Sequence, residues 1–314
     1  MAGTKTRIAR RGLLVLALMA LALAALVGTS VAAGGGHTAG KGAPDYKKLV
    51  VYSTTSVRDS GLMADVVIPA YNAAHPDITV NPIYVGSGQA IQAARDGLAD
   101  VLIVHSPADE KQLLADGVAT LRLPWAYNYF TIVGPKNDPA KIAKAKDAAT
   151  AFKRIAAYGA RLAEGQVAFV SRGDGSGTNK KELQLWYAAG VTPNATTAPT
   201  GAWYITAAGG MLPCLQVTAE KNAYTLTDMA TWLKNKDNLT PLVKLMEKKT
   251  DLKNQYSVIL LNQEKHDQVN SPGAEWLAAW FVSYEGQKAI GEYGKSTYKQ
   301  PLFYPNAFTI SEPF

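Results

Sequence analysis

A glycine-rich turn between a predicted strand and a predicted helix is the part of this sequence best suited to chemistry. An apolar run at 167–170 leads into Ser171-Arg-Gly-Asp-Gly-Ser-Gly-Thr178, and a helical pattern follows to Trp186. This arrangement leaves free backbone N–H groups and the positive end of a helix dipole facing a crevice. The glycines let the backbone approach a ligand, and hydroxyl and guanidinium groups add donors. The turn therefore predicts an anion-binding cradle with contacts from Arg172, Ser176, Gly177 and Thr178.

Other interpretations of the turn were weighed against this one. Ser176 could serve only as a helix N-cap, because glycine-rich turns before helices are common. The spacing fits neither a phosphate-binding loop ending in lysine nor a dinucleotide fingerprint. It is not a nucleophile elbow either, and no histidine is placed to serve it. The four histidines, His37, His75, His105 and His266, are scattered without metal-ligand spacing and are interpreted as structural. We expect no catalytic residue, no cofactor and no metal-cation ligand.

The N-terminal residues have the composition of an export signal. Four basic residues precede an apolar run, and Val31-Ala-Ala33 provides a small-residue cleavage site. We expect residues 1–33 to be a cleaved signal peptide of the Sec or twin-arginine type, and 34–44 to be a flexible lead-in. The mature protein would then be periplasmic or extracytoplasmic. The one cysteine, Cys214, excludes an internal disulfide, and we expect a buried, inert thiol.

The charge balance restricts the class of partner. The formal net charge is +7, and four of the positive charges lie in the N-terminal signal. The remainder is mildly basic, which suits a protein that collects anions. It lacks the basic stripe with interleaved aromatic residues that is typical of nucleic-acid binding.

Three further sites repeat the pattern of an apolar run, small hydroxylated residues and a helix. Thr54, Thr55 and Ser56 follow the first run, Ser87 lies in the loop after the second, and Ser106 follows the third. Strands that alternate with helices favour parallel βαβ units, which bind ligands outside the carboxyl ends of their strands. Farther along the chain, Thr225-Leu-Thr-Asp228 matches a capping box before a helix.

The simplest assembly is a pair of α/β lobes joined by two crossover strands. Residues 45–127 and 255–314 would form the first lobe, and 128–254 the second. The runs at 130–134 and 256–261 are the candidate crossovers. A ligand would lie between the lobes, where closure can bury it.

Several long segments, in this order, carry a resemblance to a known family. They are Thr54-Thr-Ser-Val-Arg-Asp-Ser-Gly-Leu62, Val85-Gly-Ser-Gly-Gln-Ala90, Ala99-Asp-Val-Leu-Ile-Val-His-Ser-Pro107, Ser171-Arg-Gly-Asp-Gly-Ser-Gly-Thr178 and Ala223-Tyr-Thr-Leu-Thr-Asp228. The sequence resembles the tungstate-binding components of ABC importers over nearly its whole mature length. The resemblance implies a two-lobed type II periplasmic binding protein fold with mixed, mainly parallel sheets. It also implies a monomer that captures tungstate and delivers it to an ABC permease. The contacts that it implies are Thr54, Thr55, Ser56, Ser87, Arg172 and Thr178.

Three departures from the family pattern stand out. Met229 replaces an expected arginine, Ser106 an alanine, and Gly175 an acidic residue or asparagine. The arginine loss could weaken the site or change selectivity, although a position away from the anion is preferred. We expect Asp174 to turn from the ligand and cap the turn, or to pair with Lys180 or Lys181, because a carboxylate would repel an unprotonated dianion.

The sequence leaves alternatives open. Molybdate and vanadate are close to tungstate in size, and phosphate-binding proteins carry a similar Arg/Asp/Gly-Ser-Gly-Thr cluster. An exported hydrolase of phosphate or sulfate esters is a candidate from another class, although the sequence gives no nucleophile with its base.

Overall fold

The computed structural model describes residues 43–207, 209–247 and 251–307. The predicted signal peptide and nearly all of the predicted lead-in lie outside these ranges. The strands are β1 Lys48–Thr54, β2 Thr79–Val85, β3 Val101–Val104, β4 Ala119–Pro135, β5 Phe169–Ser171, β6 Tyr204–Thr206, β7 Thr225–Asp228, β8 Leu242–Met246, β9 Lys253–Leu261 and β10 Tyr304–Pro305. The α-helices are α1 Thr55–Ser60, α2 Ile68–Ala74, α3 Ser87–Arg95, α4 Pro107–Ala115, α5 Ala148–Gly159, α6 Gly177–Ala188, α7 Met211–Lys221, α8 Met229–Asn235, α9 Ser271–Val282, α10 Tyr284–Glu292 and α11 Lys295–Tyr298.

The first three strands form the parallel unit that the alternating pattern predicted. β1 pairs in parallel with β2 on one side and with β3 on the other. Helices α1, α3 and α4 each begin within three residues of the end of one of these strands. The first helix begins at Thr55, because Thr54 caps it by accepting a hydrogen bond from the Val57 N–H.

Two long strands, β4 and β9, pair antiparallel and link the sheet region of β1–β3 to that of β7 and β8. β4 pairs with β9 from Ala119 opposite Leu261 to Tyr129 opposite Lys253. β4 then continues and pairs with β7 and β8, whereas β9 also pairs with β3. The first part of β4 therefore pairs with β9, and its last part pairs with β7 and β8. A separate parallel pair, β5 and β6, lies next to β7 through a bridge between Phe169 and Tyr224.

The apolar core is divided along the sequence. Two clusters draw on residues 49–126 and 256–303, with Ala230 as the one member from elsewhere. The other two draw on residues 130–252. Trp125, Phe281 and Phe303 pack together in the first group, and Phe152, Phe169 and Trp186 in the second. Each such side chain contributes about 1.5–3 kcal/mol by leaving water.

The predicted capping box at Thr225 is wrong. Residues Thr225–Asp228 form β7, and Asp228 itself is the N-cap of α8, accepting from the Thr231 N–H at 2.9 Å. The pattern misled because a β-strand that pairs with β4 ends directly at the cap.

Among the described residues, no helix is long and apolar enough to cross a membrane.

Candidate anion-binding site

Two glycines of the turn between β5 and α6 have a backbone conformation that favours glycine. Gly173 and Gly175 adopt left-handed φ angles of +58° and +67°. A Cβ on Gly173 would lie 2.7 Å from the Thr206 side chain, so only glycine fits there. Ser176 is the N-cap of α6, and its Oγ accepts from the Asn179 N–H at 3.2 Å. Ser176 therefore has the role of N-cap that was weighed as an alternative, and its own hydroxyl hydrogen is not used by this bond.

A buried polar network holds this turn from behind. Ser171 Oγ donates to the Glu182 carboxylate at 2.6 Å and accepts from the Gly173 N–H at 3.1 Å. Asn179 Oδ1 accepts from the Gly175 N–H at 3.0 Å. The N–H groups of Gly177 and Thr178, in the first turn of α6, have no intrahelical acceptor.

Arg172 lies at the centre of the turn with only 1% of its surface exposed. Its Nη2 donates to Asp174 Oδ2 at 2.5 Å and to Thr55 Oγ1 at 3.1 Å, and its Nε donates to the same carboxylate oxygen at 3.1 Å. Its Nη1 is buried without a hydrogen-bond partner among the described residues. The guanidinium therefore joins two segments 117 residues apart and keeps one donor nitrogen free.

Asp174 is held by the turn itself. Its Oδ1 accepts from the Ser176 N–H at 3.1 Å, and its Oδ2 accepts from Arg172. Of the two expected roles, capping the turn is the one that the structure has, and the ion pair of Asp174 is with Arg172. Lys180 pairs with Asp109, and Asp174 pairs with the much closer guanidinium two residues before it.

The loop before α3 faces this turn closely. An added Cβ on Gly86 would lie 3.4 Å from the Asp174 carbonyl oxygen, and one on Gly88 would lie 2.9 Å from the Gly175 carbonyl oxygen. Ser87, between these glycines, is fully buried, and its Oγ has no partner among the described residues. The loop that carries Ser87 thus contacts the glycine-rich turn.

The cluster at the start of α1 also contacts the turn, together with a histidine. Ser56 Oγ lies 3.0 Å from Thr54 Oγ1 and 3.3 Å from His105 Nε2. A Cβ on Gly177 would lie only 2.5 Å from the His105 carbonyl oxygen, so the end of β3 touches the start of α6. Burial lowers the pKa of His105 to about 4, and the nearby Arg172 charge acts in the same direction, so the ring is neutral at physiological pH.

Three buried donors on the segments described above have no hydrogen-bond partner within the described residues: Ser87 Oγ, Arg172 Nη1 and Thr178 Oγ1. Buried polar groups are normally paired, and each unpaired one costs about 1–3 kcal/mol. The segments that carry these donors contact one another. The Ser87 loop approaches the turn at Gly86 and Gly88, Thr55 accepts from Arg172, and the end of β3 at His105 touches the start of α6. A set of buried donors around one positive charge is suited to an anion with several oxygens.

Comparisons with known proteins agree with this chemistry. A family model described as a PBP superfamily domain matches residues 31–285. A tungstate-binding protein, TupA, of Peptoclostridium acidaminophilum is 41% identical over 82% of this chain and 86% of its own length. A putative ABC transporter anion-binding protein of Haloferax volcanii is 38% identical over 89% of this chain and 78% of its own length. The chain belongs to the tungstate-binding protein family of the PBP superfamily.

Solved structures of this family share the fold. The tungstate ABC transporter protein of Geobacter sulfurreducens is 40% identical, has a TM-score of 0.68, and matches 79% of this chain and 99% of its own. Tungstate-binding protein TupA of Desulfovibrio alaskensis is 35% identical with a TM-score of 0.64, over 84% of this chain and 99% of its own. The resemblance seen in the sequence and the predicted type II periplasmic binding protein fold are both confirmed.

Two residues that depart from the family pattern lie in contrasting settings. Met229 is 6% exposed and belongs to an apolar cluster with Cys214 and Trp232. Ser106 donates its hydroxyl to Asp109, and its backbone N–H donates to Glu110 at 2.6 Å. Both Ser106 donors therefore have partners within the protein.

Cys214 is buried as expected, and burial raises the pKa of its thiol to about 12.

Sequence reasoning missed the polar residues behind the cluster. His105 was interpreted as structural, yet it contacts Ser56 and Gly177, and its Nδ1 lies 2.8 Å from Asn254 Oδ1. Asn254 and Asn128 are polar residues within strand patterns, which is the one local signal that could have identified them. Glu182 could not be identified in this way, because glutamate is common in helices.

Proposed function

We propose that this protein binds a tetrahedral oxyanion, tungstate in the first instance, between the β5–α6 turn and the loops after β1 and β2. The observation that carries the proposal is the set of buried, unpartnered donors on Ser87, Arg172 and Thr178. Thr55 adds a fourth donor, because its oxygen accepts from Arg172 and its own hydrogen is left for the ligand. The helix dipoles of α3 and α6 add to the stabilisation of negative charge.

The state of Asp174 favours a fully deprotonated anion over hydrogenphosphate. A phosphate site needs an acceptor for the ligand's proton, and a carboxylate is suited to that role. Here one oxygen of Asp174 accepts from a backbone N–H and the other accepts twice from Arg172. Tungstate and molybdate carry no proton at neutral pH and need donors only. Phosphate is therefore the second candidate ligand, and molybdate and vanadate remain close alternatives to tungstate.

We also propose that the protein is a carrier and not a hydrolase. The relatives named above are binding proteins. Ser56, which lies outside the glycine-rich turn, does contact His105, with its Oγ 3.3 Å from the ring Nε2. A general base works best with a pKa near the operating pH, however, and the pKa of His105 is about 4. We expect no hydrolysis of p-nitrophenyl phosphate or sulfate above the rate of a Ser56→Ala variant.

The proposed route of the ligand follows from the family. The haloarchaeal relative is described as an ABC transporter protein, and the bacterial solved structure as a tungstate ABC transporter. We infer an exported monomer whose lobes, 45–127 with 255–314 and 128–254, close on the anion and present it to an ABC permease. The division of the apolar clusters along the same boundaries supports these lobes.

The test is a titration of residues 34–314 with tungstate, molybdate, vanadate, sulfate and phosphate by calorimetry, with melting temperatures in parallel. We expect tight binding of tungstate and no heat from phosphate. A saturating ligand at about 100 times its Kd should stabilise the fold by about 2.7 kcal/mol. Phosphate binding that weakens as the last proton leaves would make Asp174 an acceptor and overturn the tungstate proposal.

A further inference from the structure

A buried chain of hydrogen bonds runs from the hydroxyl cluster through both long strands to the cap of α8. Ser56 contacts His105, which contacts Asn254 on β9. Asn254 Nδ2 donates to Asn128 Oδ1 on β4 at 2.9 Å, and Asn128 Nδ2 donates to Asp228 Oδ1 at 3.4 Å. Asn128 and Asn254 lie directly opposite each other in the β4–β9 register. All five residues are buried.

The carboxylate end fixes the direction of the whole chain. Burial raises the pKa of Asp228 to about 6, so above that pH its carboxylate is ionised and can only accept. The amide nitrogen of Asn128 must then face Asp228, and its amide oxygen must face Asn254. The nitrogen of Asn254 therefore donates to Asn128, and it also donates to Tyr256 OH at 2.9 Å. The oxygen of Asn254 is left for His105, so the His105 Nδ1 must carry the hydrogen.

The histidine then determines the orientation of a hydroxyl in the site. A neutral ring with its hydrogen on Nδ1 has a bare Nε2, which accepts from Ser56. The ring is held in place by stacking on Tyr256 at 4.9 Å and by the close approach of Gly177. Its charged neighbours, Arg172 and Asp174, act in opposite directions on its proton affinity.

We propose that His105 is a positioning residue of the anion site. Its Nε2 accepts a hydrogen bond from the Ser56 hydroxyl, and the Ser56 oxygen in turn accepts one from the Thr54 hydroxyl. Of the three hydroxyl groups in this cluster, only that of Thr55 is then left to donate to the ligand. Through its Nδ1, His105 also links the Thr54–Ser56 cluster to Asn254 on β9 and so to Asn128 on β4. Its relation to the ligand depends on the proposed oxyanion function, whereas its tautomer does not.

The tautomer can be measured directly on the ligand-free protein. In ¹⁵N-labelled mature protein, long-range ¹H–¹⁵N correlation should show His105 with hydrogen on Nδ1 and a bare Nε2, unchanged from pH 7 to 8, where Asp228 is ionised. The signal is assigned by its loss in His105→Asn. A hydrogen on Nε2, or titration within this range, would overturn the proposal whatever the protein binds.

A double-mutant cycle tests the effect on the ligand. His105→Asn retains a donor for Asn254 but lacks the acceptor for Ser56, and Ser56→Ala lacks the hydroxyl. Each should weaken tungstate binding by about five- to tenfold, and the double variant by no more than either, because one hydrogen bond is lost in all three. His266→Asn, a substitution beside Gly97 and away from the site, is the control.

Two outcomes of the cycle would overturn the proposal. Additive losses would mean that Ser56 contacts the anion independently of His105. Unchanged affinity in His105→Asn, with only a lower melting temperature, would reduce the histidine to a structural role. If the parent protein binds no tungstate, the proposed function fails, and the tautomer measurement still decides the state of His105.

Discussion

At the scale of single residues, Arg172 supplies the one buried positive charge at the proposed site. Its Nε and Nη2 are committed to Asp174 and Thr55, which fix the side chain and leave Nη1 for the ligand. Arg172→Gln should therefore weaken tungstate binding by at least about tenfold, since a hydrogen bond to a charged group contributes about 1.5–3 kcal/mol. Calorimetric titration measures this. Arg95→Gln is the control, because Arg95 pairs with Asp116 on the surface. An unchanged Kd would place the anion elsewhere.

The hydroxyl groups divide into free and committed donors. Ser87→Ala and Thr178→Val each remove a donor that has no partner among the described residues, and each should weaken tungstate binding by roughly 1.5–3 kcal/mol. Ser106→Ala should leave binding unchanged, because that hydroxyl donates to Asp109. Equilibrium dialysis of the three variants makes the comparison. A loss in Ser106→Ala equal to the other two would contradict this division.

At the scale of elements, α3 and the β5–α6 turn approach each other so closely that one methyl group matters. In Gly88→Ala the new Cβ would lie 2.9 Å from the Gly175 carbonyl oxygen, and real Cβ atoms do not approach so closely. Tungstate affinity should fall, chiefly through faster dissociation measured by stopped flow. In the ligand-free protein we expect the proposed lobes to be apart, so that the added methyl group meets no backbone atom. The unfolding free energy of that state should hold or rise, because alanine favours a helix by up to about 1 kcal/mol over glycine.

The Gly88→Ala experiment is informative because tungstate affinity should fall while the free energy of unfolding does not. Gln92→Ala, on the same helix and exposed, should change neither quantity beyond a few tenths of a kcal/mol. A Gly88→Ala variant that binds as tightly as the parent would mean that the two segments separate in the ligand-bound state.

The network behind the turn predicts a dependence of stability on pH. Burial raises the pKa of Glu182 to about 7 from a usual value of 4.5, although the hydrogen bonds from Ser171, Tyr204 and Trp186 act against burial. The folded state therefore holds a proton that the unfolded state has lost between about pH 4.5 and 7. The free energy of unfolding should fall as pH rises through this window, by roughly 3 kcal/mol at the full extent of the shift.

Glu182→Gln should remove that part of the pH dependence. Urea unfolding at several pH values between 5 and 8 measures the slope for both proteins without ligand. Glu220→Gln is the matched control, since Glu220 lies on the surface beside Lys221. Equal slopes in parent and Glu182→Gln would show that Glu182 does not titrate in this range.

At the scale of the whole molecule, export determines where the site operates. The basic N-terminal residues, the apolar run and Val31-Ala-Ala33 predict cleavage after Ala33. Expressed with this N-terminus in a bacterial host, the protein should be recovered outside the cytoplasm and should begin at Gly34 by N-terminal sequencing. An Ala33→Pro variant should block processing, with an Ala2→Pro variant as the control. Mature protein that still begins at Met1 would contradict the prediction.

The sequence by itself determined the parts that depend on neighbours in the chain. The alternation of strands and helices, the glycine conformations of the β5–α6 turn and the cap at Ser176 follow from local spacing, and the structure has them. The ordered segments also sufficed for the family. Local patterns failed at Thr225–Asp228, where pairing with β4 outweighs a capping signal.

Only the tertiary structure decided which polar groups meet. Arg172 reaches Thr55 across 117 residues, and His105 reaches Asn254 across 149. Nothing in the spacing shows whether Asp174 turns to a lysine or to Arg172, because both lie within reach along the chain. The folded chain decides by distance and burial, since a charge that is removed from water needs the nearest opposite charge or donor.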